Sequence, residues 1–170
     1  MGKEIERKFL IKPEKRLDLY RDIVTHMPTS TPERITQGYL DINPAHVVRV
    51  RVVNETRGLI TVKGETEGIT RPEFEYEIPV DDAKALMDMC DAALFKIRYH
   101  VMVGGFLWAI DYFTGTLLDG LILAEIELTS EDEQFPMPEW AGPEVSYNPE
   151  YFNVSLAVNG VTSDKYSNHI

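Results

Sequence analysis

Apolar and polar residues alternate with a period of two over several short stretches of this chain, each bounded by turn signals. The first predicted strand is Glu4-Ile5-Glu6-Arg7-Lys8-Phe9-Leu10-Ile11, with Glu4, Glu6 and Lys8 on one face and Ile5, Arg7 and Phe9 on the other. A second strand runs from about Arg34 to Leu40 and stops at Asp41-Ile42-Asn43-Pro44. Val48-Arg49-Val50-Arg51-Val52 and Leu59-Ile60-Thr61-Val62-Lys63 flank the turn Asn54 to Gly58 and predict a hairpin. Glu73 to Ile78 alternates again and is closed by Pro79. Lys96 to Val101 and Phe106 to Phe113 form a second hairpin around Gly104-Gly105, and a last strand holds Ala124-Glu125-Ile126-Glu127-Leu128.

Three short helices are expected between and after these strands. Pro13 opens the first, with Leu17, Tyr20 and Val24 at helical spacing, and it ends before Pro28 and a loop at Thr29-Ser30-Thr31-Pro32. Asp81 or Asp82 caps the second, whose apolar stripe is Ala83, Leu86, Met87 and Cys90. Pro149 starts the third, with Tyr151, Phe152, Leu156 and Ala157, and Gly160 ends it. Gly64 to Gly68 reads as an acidic connection and residues 130–150 as a long acidic, proline-rich loop. One domain over 1–160 and a tail over 161–170 follow from this layout.

The charged positions of the strands are sorted by sign. Lys8, Arg49, Arg51, Lys63, Lys96 and Arg98 are basic; Glu4, Glu6, Glu73, Glu75, Asp111, Glu125 and Glu127 are acidic. A sheet face open to water would favour mixed signs that pair across strands. The sorting is explained if the charges face inward and the apolar residues face outward beneath the helices. About eight such strands suffice to close a small barrel. The fold class is therefore α+β: a closed antiparallel eight-stranded β-barrel with a polar, charged interior and a few helices packed on its outside.

A charged interior must be wet and must hold something that balances it. Clustered cations suit a ligand with several negative charges close together. Carboxylates two residues apart, Glu4/Glu6 and Glu125/Glu127, offer hard oxygen donors for magnesium or manganese. A linear triphosphate with a divalent metal satisfies both halves. A porin-like barrel shares the alternation, but it needs longer apolar girdles and has no covering helices.

Composition narrows the rest. In 170 residues the formal net charge is -11, which argues against nucleic acid or an anionic membrane as partner. The single cysteine, Cys90, excludes an intramolecular disulfide and a cysteine-rich zinc site, and is read as core. Charged residues start at Lys3 with no apolar leader behind them, and no apolar run approaches the roughly 18 residues of a membrane helix. A cytoplasmic location is the expectation; oligomeric state is not legible.

The opening Glu4-Ile5-Glu6-Arg7-Lys8 resembles the Glu-x-Glu-x-Lys signature of the triphosphate tunnel metalloenzymes, the CYTH superfamily. Arg49/Arg51, Thr61-Val62-Lys63-Gly64, Glu73/Glu75, Lys96/Arg98 and Glu125/Glu127 resemble its further elements in the same order, with Asp111 between the last two. The resemblance spans Glu4 to about Ala157. It implies a metal-dependent hydrolase of a triphosphate, most similar to small bacterial tripolyphosphatases that release pyrophosphate and phosphate. ATP and thiamine triphosphate are alternative substrates, through a class IV adenylate cyclase or a thiamine triphosphatase, and a non-catalytic polyphosphate-binding module is a further alternative.

By the same resemblance Glu4, Glu6, Lys8 and Glu127 are catalytic. Lys8, Arg49, Arg51, Lys63, Lys96 and Arg98 bind substrate. Glu4, Glu6, Glu125 and Glu127 are the principal holders of magnesium or manganese, while Glu73, Glu75 and Asp111 orient bases and water or share a metal. Tyr39 is similar to a family tyrosine near the tunnel mouth. His100 shares the face of Lys96 and Arg98 and is read as structural. Phe152 stands before Asn153, where family members often carry Lys, Arg or Ser.

Overall fold

A computed structural model describes residues 2–27, 31–115 and 117–160. The loop expected at Thr29-Ser30 and the tail at 161–170 lie outside the described residues. Ten strands form one antiparallel system: β1 (Glu4–Ile11), β2 (Glu33–Asp41), β3 (His46–Val53), β4 (Arg57–Gly64), β5 (Thr70–Arg71), β6 (Glu73–Ile78), β7 (Ala92–Val103), β8 (Phe106–Thr114), β9 (Ile122–Glu127) and β10 (Ala141–Glu144). Their order is β10-β1-β9-β8-β7-β2-β3-β4-β6, with β5 paired to β1.

Closure comes from one bent segment. β6 borders β4 from Lys63↔Glu73 to Gly58↔Ile78, and β5 borders β1 through Glu4↔Arg71 and Ile5↔Thr70. Pro72, which cannot donate to a ladder, separates the two. The Glu73 amide then donates to the Gly2 carbonyl at 3.3 Å. With β5 and β6 taken as one bent strand, eight strands run in a circuit. β10 is an addition, pairing with the far end of β1 through Phe9↔Glu144 and Ile11↔Ala141. The sequence pattern missed β5 and β10 because neither is long enough to show alternation.

The two sides of this wall differ as expected. Outward-facing Ile5, Phe9, Val101, Trp108, Ile110, Ala124 and Ile126 are buried in one cluster with Leu19 and Ile23 of α1 (Arg16–His26) and with Trp140. Outward-facing Val50 and Val52 are buried with Ala83 of α2 (Val80–Met87), against which Leu86, Met87 and Cys90 also pack. Inward-facing Leu94, Phe113 and Leu123 pack with Tyr151 and with Leu156 of α3 (Asn153–Asn159). They share the inward side with Lys96, Asp111 and Glu125, so this third apolar group floors the lumen, and α3 sits at its end rather than over the outer wall. Among the described residues no helix is long and apolar enough to cross a membrane.

Two local expectations change. The first helix buries Leu19 and Ile23 and leaves Leu17, Tyr20 and Val24 exposed. The helix carries two apolar stripes, and Trp140 selects between them by donating its indole N–H to Asp22 at 2.8 Å. At the second helix Pro79 is the N-cap and Asp81 and Asp82 fall in the first turn, where their charge still favours the helix dipole.

Gly58 also has a different task. The turn of the β3–β4 hairpin is made by Asn54 and Glu55, both with positive φ, whereas Gly58 lies within β4. A Cβ there would stand 2.6 Å from the Ala83 Cβ and 2.9 Å from the Ile78 carbonyl oxygen. The bare backbone is what lets α2 approach the sheet. Gly58→Ala is expected to lower stability by about 1–3 kcal/mol, read as a shift of the urea midpoint at unchanged slope.

Candidate active site

The inward positions of the strands converge on a cavity of about 230 Å³. Glu4, Glu6, Lys8, Arg49, Arg51, Lys63, Glu73, Glu75, Lys96, Arg98, Glu125 and Glu127 all line it. Alternation therefore carried these side chains to one place. Asp111 does not reach the cavity wall, and Arg71, which no alternating run singles out, does.

Cross-strand register explains who meets whom. Lys8 lies opposite Glu125 and Glu6 opposite Glu127. The Lys8 ammonium is 2.9 Å from Glu125 and 3.7 Å from Glu6. Burial would lower the Lys8 pKa, but these two carboxylates override it and raise it. The Lys8 amide donates to the Ser146 hydroxyl at 2.9 Å, fixing the strand at that point.

Asp111 is wholly enclosed and gathers two bases. Its carboxylate accepts from Lys96 at 2.6 Å and from Arg98 at 2.7 Å through both oxygens. Burial pushes the Asp111 carboxyl up; Arg98 and Lys96 outweigh that and hold it below its ordinary value. Asp111, expected to orient bases or to share a metal, is fully buried behind the wall and pairs there with Lys96 and Arg98. Arg98 goes on to Glu125 at 2.6 Å. Burial, against the pull of Asp111 and with Arg98 and Arg51 nearby, brings Lys96 down to about 7.

Glu4 is held on two sides. Lys63 donates to both of its oxygens at 3.1 Å and the Arg71 Nε donates at 2.6 Å. Burial would raise its pKa, but these cations lower it to about 2. Lys63 also meets Glu73 at 2.5 Å, and Glu75 accepts from Arg49 at 3.2 Å and from Thr61 at 2.8 Å. Glu73 and Glu75 thus each pair with a base of the wall.

Three side chains stand apart. Arg51 is the one basic group of the cavity wall, among the described residues, with no carboxylate in ion-pairing reach. Its guanidinium donates only to Gln37, at 3.1 Å, and its Nε has no partner. Burial, with Arg49 and Arg98 close by, lowers its pKa to about 10. Glu6 is raised to about 7 by burial and by the charges of Glu125 and Glu4, and Glu127 is raised by burial with Glu4 and Glu73. A guanidinium without an anion and two carboxylates without adequate cations mark where ligands of each sign belong.

No group of three metal-ligating side chains is assembled among the described residues. Glu4 and Glu125 are engaged by bases, which leaves Glu6 and Glu127 as the available oxygen donors. Those two face the cavity from opposed positions and suit a hard divalent cation.

Neutral residues complete the wall. Gln37 is fully buried and donates to the Tyr39 hydroxyl at 2.9 Å while accepting from Arg51. Tyr39 lines the cavity. Asn153 accepts from Lys96 at 3.1 Å, so α3 does reach the site despite Phe152 before it. His100 does not line the cavity and is half-buried; burial lowers its pKa. Arg71 was legible in principle, because Arg71, Glu73 and Glu75 alternate. Pro72 concealed it by breaking the strand.

A model of the CYTH domain matches residues 2–157. An inorganic triphosphatase from Acetivibrio thermocellus is 39% identical over 161 residues, covering 94% of this chain and 96% of that protein. An inorganic triphosphatase from Nitrosomonas europaea is 33% identical over 161 residues, covering 92% and 97%. The crystal structure of an inorganic triphosphatase superposes with a TM-score of 0.59 at 31% identity, covering 93% of this chain and 96% of that one.

Proposed function

The chain belongs to the CYTH domain family, and on that premise we propose that it is a divalent-metal-dependent triphosphatase. Its proposed reaction splits inorganic tripolyphosphate with water into pyrophosphate and phosphate. The observation that carries the reading is Arg51, a partly buried guanidinium with no carboxylate partner in a wall where the other bases are paired. An arginine fork matches phosphate oxygens, and Arg49 offers a second unpartnered Nε beside it.

Arg49, Arg51, Lys8, Lys63, Lys96 and Arg98 bind the polyphosphate and neutralise the charge it carries into the transition state. Phosphoryl transfer needs little covalent help from a protein, so positioning and charge supply most of the rate. Glu6 and Glu127, joined by Glu4 and Glu125 when their bases turn to phosphate, are the residues that would hold magnesium or manganese. When bound, such a cation neutralises phosphate oxygens and acidifies a water. Glu73, Glu75 and Asp111 keep the bases aimed inward, and the apolar floor under Lys96 limits the depth of water.

The test is direct. Purified protein with magnesium or manganese is expected to release phosphate from tripolyphosphate faster than from ATP or thiamine triphosphate, and chelation should stop it. Cyclic AMP from ATP would mark a class IV adenylate cyclase instead. Preferred turnover of thiamine triphosphate would mark a thiamine triphosphatase, and binding without turnover a polyphosphate-binding module.

The two groups near pH 7 give opposite pH trends for the two ligands. Lys96 loses positive charge and Glu6 gains negative charge as pH rises through about 7. Anion binding favours the protonated form of both, so metal-free tripolyphosphate should bind more weakly as pH rises. Tripolyphosphate itself sheds its last terminal protons over the neutral and alkaline range, so the Lys96→Arg variant serves as the reference that removes the ligand's own titration. Metal binding favours deprotonated Glu6, so manganese alone should bind more tightly over the same range. Calorimetry at several pH values checks both, and Lys96→Arg should flatten the tripolyphosphate trend.

A further inference from the structure

Arg71 occupies an unusual position. It lies on the two-residue β5, its backbone pairs with that of Glu4, and its guanidinium donates to a Glu4 oxygen at 2.6 Å. Lys63 takes both Glu4 oxygens from the other side. A carboxylate of the metal-binding set therefore has its oxygens covered by two internal cations. Arg71 has no other carboxylate within ion-pairing distance among the described residues, and its side chain is 25% exposed at the cavity.

We propose that Arg71 is a positioning residue that holds Glu4 in place of the metal, exchanging it for a phosphate oxygen when substrate enters. The inference rests on the triphosphatase reading above. It follows from the wall's charge balance: seven bases (Lys8, Arg49, Arg51, Lys63, Arg71, Lys96, Arg98) face seven acids when Asp111 is included with the six cavity-lining glutamates. The empty lattice is self-neutral. An anion takes the bases and leaves the acids short of cations; a divalent cation does the reverse. Each ligand thereby creates the vacancy that the other fills, and by linkage the coupling is reciprocal. Arg71 is the member best placed to move, since it sits on the shortest strand beside the Pro72 bend and is the most exposed of the basic side chains in these pairs.

The role has a signature that a structural role lacks. Removing the Arg71 charge frees Glu4 for a metal but subtracts a base from the anion site, so the two affinities must move in opposite directions. The experiment titrates wild type, Arg71→Gln and Arg71→Lys with manganese alone and, separately, metal-free protein with tripolyphosphate alone. Neither titration involves turnover. Arg71→Gln is expected to bind manganese at least about fivefold more tightly and tripolyphosphate at least about fivefold more weakly, and Arg71→Lys should return both toward wild type.

If Arg71→Gln moves both affinities the same way, or neither, the exchange is overturned while the triphosphatase reading stands. If wild-type protein binds neither ligand, the functional reading fails and takes this one with it. Thermal melts of the variants guard against a seam that has opened: a variant with lost cooperativity would report the β5–β1 contact as structural, which also overturns the proposal.

Discussion

Arg51→Ala is expected to reduce the second-order rate constant for tripolyphosphate hydrolysis by roughly 10²–10³-fold, with no loss of stability in the free protein. The two halves of this result share one cause. Arg51 is a cation partly buried among Arg49 and Arg98, held only by the neutral Gln37 and lacking a carboxylate partner. In the free protein it is an electrostatic burden, and its removal strands no acid. In the complex it is the guanidinium with the most unsatisfied capacity for phosphate. A charge pair at about 4 Å is worth roughly 4 kcal/mol at an effective dielectric of 20 and about 1 in water. The enclosed cavity is thus where its loss is felt. Steady-state kinetics beside a denaturant titration give both readouts; a variant with normal turnover, or one that unfolds early, contradicts this account of Arg51.

Asp111→Asn should do the reverse and act first on the fold. The carboxylate is fully enclosed and takes Lys96 at 2.6 Å and Arg98 at 2.7 Å. The amide keeps the shape but leaves two bases facing each other around a neutral group. Breaking a buried pair on one side costs about 3–5 kcal/mol, a large part of the roughly 5–15 kcal/mol available to a domain. The expected outcome is a large fall in the urea midpoint at unchanged slope. A fall of less than about 1 kcal/mol would mean that Lys96 and Arg98 have another anchor.

These two residues also show what a linear pattern can reveal. Alternation assigns a side chain to a face, so Arg51 and Asp111 were both legible as inward-facing. It carries no information on depth, which depends on the shear of the barrel and on the floor formed by Leu94, Phe113, Leu123 and Leu156. Alternation therefore leaves both roles of Asp111 open, a shared metal or the orientation of bases, and its position behind the wall with Lys96 and Arg98 is legible only in the fold. The sorted charges of β3, β4, β6, β7 and β9 are enough to infer the inversion of the sheet, because sorting has no purpose on a solvated face.

Elements without alternation were not legible. β5 has two residues, and β10 runs through Gly142 and Pro143. With β5 went Arg71. Gln37 carries no charge to mark it and Asn153 stands out only through Phe152 before it, although each accepts a hydrogen bond from a base of the cavity wall. On α1 the choice between Leu17/Tyr20/Val24 and Leu19/Ile23 depended on Trp140, more than a hundred residues away in sequence. Local spacing could not decide it.

The central claim is that the ionic interior receives a linear polyphosphate. Crystals of the metal-free protein grown with tripolyphosphate test it most directly. The account predicts a chain of phosphates inside the barrel, with oxygens in hydrogen-bond reach of the Arg51 guanidinium and Arg71 turned away from Glu4. An empty interior at saturating ligand, or phosphates bound only to the outer surface, would contradict it.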